Sequence, residues 1–164
     1  MRTAASLAAL SLVVAVRPAE AKDLRGRIGV GFDNQFGDIS ALSVRYALPM
    51  PAPAINLQVE GAFGFAKYDP DQDDFPPVYF GGGRIHYGIV AEDNMNLDVS
   101  GGLGVLSDGD QQSLRVEAMM GAQFFLFGLE NLGFIAEWGL HFDSGETNSS
   151  ATDAAVGVGA HYWF

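Results

Sequence analysis

The chain has no cysteine among its 164 residues. That excludes a disulfide framework, thiolate metal ligation and thiol redox chemistry. Positive charge is scarce as well: nine Lys and Arg stand against twenty Asp and Glu, a formal net charge of −11. Nucleic-acid recognition needs a basic surface, so that class of partner is excluded. After residue 21 no run reaches the eighteen apolar residues of a membrane-spanning helix.

The long apolar run that does exist, Ala4–Val16, is too short to span a bilayer as a helix. Arg2 precedes it, and Pro18 and Ala19-Glu20-Ala21 follow it. A positive start, an apolar centre and an A-x-A site describe a secretory signal peptide. Residues 1–21 are therefore expected to be cleaved, leaving 22–164 as one exported domain.

Glycine is plentiful, at 21 residues, and much of it falls inside segments that alternate apolar and polar positions. Read in steps of two, the chain predicts eight strands. They are Leu24–Asp33, Ile39–Leu48, Ile55–Tyr68, Val78–Val90, Met95–Leu106, Ser113–Phe127, Leu132–Phe142 and a closing strand from near Ala151 to Phe164. The cleanest alternation sets Ile55, Leu57, Val59, Phe63 and Phe65 against Asn56, Gln58, Glu60, Ala62 and Gly64. The closing strand sets Val156, Val158, Ala160, Tyr162 and Phe164 against Gly157, Gly159, His161 and Trp163. Each run suits the nine to eleven residues of a tilted membrane strand. Short turns (Pro49–Ala54, Ala91–Asn94, Gly128–Asn131) alternate with mostly longer acidic loops (Asp33–Asp38, Asp69–Pro77, Ser107–Gln112, Asp143–Ser150). The expected fold is all-β: an eight-stranded antiparallel up-and-down transmembrane β-barrel.

This pattern resembles the small eight-stranded outer-membrane barrels of the OmpA transmembrane-domain and OmpX type. Its most specific piece is the terminal Tyr162-Trp163-Phe164. The resemblance makes Tyr162 and Phe164 an assembly signal read by the barrel assembly machinery. It implies an integral outer-membrane address, contact with outer-membrane lipid and lipopolysaccharide, and a monomer. No periplasmic wall-binding domain is expected after Phe164. A soluble lipocalin-like barrel would alternate too, but its exterior would be dense in charge. Here the face opposite the bulky apolar one carries Arg27, Arg45, Glu60, Arg84, Asp98, Arg115, Glu117 and Glu137, thinly spaced among Gly and Ala. That density suits a narrow lumen.

These eight residues are predicted to form an ion-pair network, because an unpaired buried charge costs several kcal/mol. Arg45–Glu60–Arg84–Asp98 is the expected ladder, with signs alternating between neighbouring strands. The predicted role is structural or surface-interactive, with a plugged lumen and an unidentified extracellular ligand. A narrow solute channel is the alternative, and a lipid A-modifying enzyme a more distant one. Inward Gly29, Gly31, Ala62, Gly64, Gly102, Gly104 and Ala155 allow a small vestibule above a sealed base, the alternative being that the glycines ease strand curvature and tilt. Asp69-Pro-Asp71-Gln-Asp73-Asp74 has the start of a calcium-loop spacing but lacks its glycine and its final Glu. A loose divalent-cation site there is an open alternative to a solvated acidic loop. His141 and Ser144 fall on opposite faces, so no catalytic pair is expected. The three histidines lie on separate strands and are expected to be lumen or rim residues rather than metal ligands. No cofactor is expected.

Overall fold

Eight strands follow one another around a closed ring: β1 (Ile28–Asp33), β2 (Ala41–Ala47), β3 (Asn56–Ala66), β4 (Val78–Glu92), β5 (Met95–Asp108), β6 (Gln111–Phe125), β7 (Leu132–Gly145) and β8 (Ala151–Trp163). The computed structural model describes residues 22–34, 40–51, 56–66, 77–108, 111–145 and 151–164. The predicted signal segment and the acidic loop Asp69–Asp74 lie outside them. Each strand pairs antiparallel with the next, and β1 closes on β8 from Gly29↔Trp163 to Asp33↔Gly159. Closure leaves no free edge among the paired strands, as a spanning sheet requires.

The alternation read from the sequence becomes a two-sided wall. Leu42, Phe63, Leu103 and Val156 point outward and are 73%, 59%, 59% and 75% exposed. So much apolar surface would aggregate in water but is matched by hydrocarbon. Aromatic rings gather near the two ends of this band. Tyr46, Tyr87, Tyr162 and Phe164 stand at the termini end, and Phe32, Tyr79 and Phe142 at the far end, all outward. In β4 the register shifts between Gly88 and Val90, so Ile89 and Val90 both face outward. Such a bulge tightens local twist.

Strand ends differ from expectation where local geometry intervenes. The first strand begins at Ile28 rather than Leu24. Gly26 takes φ 75°, and the Arg27 amide donates to the Leu24 carbonyl at 2.9 Å. That turn sends Lys22–Arg27 beneath the barrel, so Leu24 is buried inside instead of facing outward with Ile28. β5 and β6 run on to Asp108 and from Gln111. Their connection is therefore shorter than the expected loop Ser107–Gln112. β7 likewise extends to Gly145.

Inside, the lumen is filled in tiers. At the termini end Leu24, Ala47, Phe125 and Trp163 make an apolar floor. Toward the far end Phe80 packs with Ala41, Ala62 and Val78, against Ala66 and Leu106. Phe80 lies across two glycines: a Cβ on Gly104 would sit 2.4 Å from its ring, and one on Gly82 2.7 Å. The indole of Trp163 covers Gly29 in the same way. Gly104 and Gly29, which the sequence allows either to line a vestibule or to ease strand curvature, each make room for an aromatic ring from a neighbouring strand.

Candidate functional site

Between these two apolar tiers lies a buried polar one. β2, β3 and β4 place Arg45, Glu60 and Arg84 directly opposite one another, since Arg45↔Glu60 and Glu60↔Arg84 are register partners. Their inward parity follows from the outward parity of Val44, Val59 and Ile85, which bury best in lipid. Arg45 Nε lies 3.1 Å from Glu60 Oε2, and Arg84 Nε lies 3.1 Å from the same oxygen. Both guanidiniums then reach across the lumen to Glu137 on β7. Arg45 Nη2 donates to its Oε1 at 3.0 Å and Arg84 Nη1 to its Oε2 at 2.8 Å. Asp33, at the end of β1, joins both arginines through Oδ2. All of these side chains are essentially excluded from solvent.

The structure brings Arg45, Glu60 and Arg84 together and places Asp98, the fourth member of the expected ladder, against a different partner. Asp98 does not pair with Arg84. Its Oδ1 lies 3.3 Å from His86 Nδ1, while His86 Nε2 lies 2.7 Å from Glu60 Oε2. Glu117 is 3.4 Å from Arg84 Nε, so it is the arginine rather than Arg115 that it faces. Arg115 instead forms a two-point bridge to Asp143, at 2.6 and 2.5 Å. Arg27 is outside the network altogether. Its guanidinium donates to the carbonyl oxygens of Trp163 and Phe164 and to Asn131 Oδ1, at 2.7, 3.3 and 2.8 Å. That position at the barrel mouth follows from the turn that begins β1 late.

Sequence reasoning passed over Asp33, His86, Ser43 and His161 as network members. The signal was there in parity. Asp33 shares the inward face with Gly29 and Gly31, although it also reads as the start of a loop. Ser43 donates its hydroxyl proton to Glu60 Oε1 in a short bond, and its oxygen lies 2.7 Å from His161 Nε2. A serine–histidine contact of this kind invites a nucleophile reading. The proton count argues otherwise. Ser43 has one hydroxyl proton and gives it to Glu60, so His161 Nε2 must donate rather than accept. The imidazole is then no base toward this serine, and both residues are wholly buried. Among the described residues His141 approaches Asp143, at 3.7 Å, and Ser144 on the same strand faces the other way in register.

Near the mouth, Lys22 Nζ lies 3.5 Å from Glu130 Oε2 and 5.6 Å from the centre of the Phe125 ring. Asp23 accepts hydrogen bonds from the Arg25 side chain, which hold its carboxyl down to about 2. The chain end itself is fixed by its backbone: the Phe164 amide donates to the Ile28 carbonyl at 2.9 Å. Tyr162 and Phe164 pack edge to face on the outside, with ring centroids 5.0 Å apart.

No protein-family model matches the chain, and no curated protein matches it in sequence. Among solved structures it is similar to the N-terminal β-barrel domain of Pseudomonas aeruginosa OprF. The TM-score is 0.58 at 16% identity, over 85% of this chain and 98% of that one. The fold is thus that of the OmpA-like eight-stranded barrels.

Proposed function

We propose that this chain is an integral outer-membrane β-barrel protein with a sealed lumen and no enzymatic role, exported by the segment 1–21. Its work is then structural or surface-interactive: it stabilises the envelope and presents its far-end loops outward. One observation carries this reading. The polar tier built on Glu60, Arg84 and Glu137 spans the lumen from β3 to β7, between the Phe80 tier and the Trp163 floor. An eight-stranded interior is just wide enough for side chains to fill, and here they occupy all three levels. A solute channel would need a polar path past Phe80 and past Trp163. Acyl-transfer chemistry would need a serine whose proton is free to pass to a base. Neither arrangement fits the contacts above.

The test is electrical. Purified barrel reconstituted in planar bilayers should give no steady single-channel current, while bacterial outer-membrane fractions should contain a form that shifts on boiling in a gel. Steady conductance in the unsubstituted protein would overturn the sealed-lumen reading. Recovery as a soluble periplasmic protein would overturn the membrane reading itself.

A further inference from the structure

The buried polar tier does not balance its own charge. Asp33, Glu60, Asp98, Glu117 and Glu137 supply five carboxylates, against the two guanidiniums of Arg45 and Arg84. Arg115 is committed to Asp143. Among the described residues, with neutral imidazoles and every carboxylate ionised, three negative charges are in excess in this buried tier. Uncompensated buried charge costs several kcal/mol per ion. A cation among these groups would relieve it.

The geometry marks where. His86, Asp98 and Glu137 bring one nitrogen and two carboxylate oxygens within 4.8 Å of one another. They come from β4, β5 and β7, and Gly121 on β6 pairs in register with both Asp98 and Glu137. The two sides of His86 differ. Its Nε2 meets Glu60 at 2.7 Å, the length of a charge-assisted hydrogen bond. Its Nδ1 meets Asp98 at 3.3 Å, a longer hydrogen bond. It is close to the roughly 3.4 Å that separates two ligands on one tetrahedral ion with bonds of about 2.1 Å. A metal-bound imidazole characteristically donates its other N–H to a carboxylate, which fixes its tautomer. Glu60 is in that position. A further polar atom has no hydrogen-bond partner: Ser100 Oγ, buried, on the residue opposite His86 in register.

We propose that His86 Nδ1, Asp98 and Glu137 form a buried site for one borderline divalent transition ion of the Zn²⁺ type, with Glu60 orienting the imidazole and Ser100 Oγ adjacent to the site. One imidazole with carboxylate oxygens suits such an ion, whereas Ca²⁺ and Mg²⁺ favour all-oxygen shells. Arg45 and Arg84 hold the Glu137 oxygens through one lone pair each and leave others for the metal. The ion is structural, since the tier is sealed above and below. The site stands whether or not the barrel conducts.

The test uses the full mature barrel. It is unfolded in urea with EDTA, freed of metal, refolded into detergent micelles with Zn²⁺, Co²⁺ or Ca²⁺, and passed through a desalting column. About one Zn²⁺ per barrel is expected by elemental analysis, with Ca²⁺ not retained. His86→Gln and Asp98→Asn should each reduce retained Zn²⁺ at least ~10-fold, and His141→Gln should leave it unchanged. The boiling-dependent gel shift checks that each variant folds. Where one does not, X-ray absorption of the wild-type Zn²⁺ form decides: one imidazole with oxygen ligands supports the site, and an all-oxygen shell overturns it. A wild-type barrel that retains no Zn²⁺ also overturns it, protons then being the counter-charge. So does a folded His86→Gln barrel that binds as much as wild type.

Discussion

Replacing Arg84 with Met keeps much of the side chain's apolar stem and removes its charge. In the wild type that charge lies 2.8 Å from Glu137, 3.1 Å from Glu60 and 3.4 Å from Glu117, and also contacts Asp33. After substitution Arg45 is the one guanidinium of the tier left beside Asp33, Glu60 and Glu137, and Glu117 loses its Arg84 contact. Removing one partner of a buried pair costs about 3–5 kcal/mol, because the other is left desolvated and uncompensated. For a urea dependence of about 2 kcal/mol per molar, the unfolding midpoint should fall by about 2 M. The assay is urea unfolding from detergent micelles in EDTA, followed by the fluorescence of Trp138 and Trp163. The double variant Arg84→Met with Glu137→Gln removes one charge of each sign, so it should lose less than the sum of the single variants by about 1–3 kcal/mol. A midpoint change below about 0.5 M for Arg84→Met, or strict additivity in the cycle, would refute the view that these charges hold the tier together.

The same assay reaches the other tiers. Phe80→Ala should cost about 3–5 kcal/mol, as truncation of a buried aromatic does, yet give no steady current in bilayer recordings, because the Trp163 floor stays in place. Trp163→Ala should cost a similar amount and make the Lys22–Arg27 segment more susceptible to trypsin, because Leu24 loses a neighbour in the floor. Deleting Phe164 removes an exposed ring that, among the described residues, packs against Tyr162. It should therefore slow insertion into vesicles markedly, yet lower the stability of the finished barrel by only about 1 kcal/mol. The Asp23 carboxyl is depressed by Arg25 to about 2 from an ordinary value of 3.8. Its contribution should be complete above the ordinary value and lost as pH falls through 2. Leu24 methyl resonances should follow that titration, and Asp23→Asn should abolish it.

Strand existence and facing were legible because lipid outside and a narrow lumen inside impose a strict period of two. All eight predicted strands are present, and most bulky apolar residues of the alternating pairs point outward, whereas Phe80, Met119, Phe125, Ile135 and Trp163 turn inward. What the sequence read less well is anything set by tilt. Barrel strands incline to the axis, so residues at different positions along their strands meet across the lumen. Arg45, Glu60 and Arg84 are legible as a group because they are register neighbours. Asp33 and Glu137 reach the same arginines from β1 and β7, and no adjacent-strand ladder could place them. The glycines misled for a related reason. Gly104 reads as empty space on its own strand, but the ring of Phe80 enters from β4. Leu24 was misplaced by one turn, where a single positive φ at Gly26 ends the alternation.

The charged tier also explains how the ring chooses its register. An apolar lumen would make both faces of every strand apolar, and a slip of one residue would then cost little. With charges inside, a one-residue slip turns the whole inward set outward. For β4 it would turn Arg84 and His86 into hydrocarbon and bring Tyr79, Ile85 and Tyr87 into the lumen. An arginine at the bilayer midplane costs about 2–4 kcal/mol on the lipid face, and its partners Glu60 and Glu137 would be left unpaired at a further cost of similar size. The pairing that preserves Arg45↔Glu60↔Arg84 is therefore favoured by more than any single contact contributes. On this view the polar tier specifies the ring more than it stabilises it. Replacing Asp33, Arg45, Glu60, Arg84, Glu117 and Glu137 together with apolar residues of similar volume should give a barrel about as stable in urea but mixed in register. Amide exchange would detect the mixture as weakened protection along β2–β4, and uniform wild-type protection there would refute the assignment.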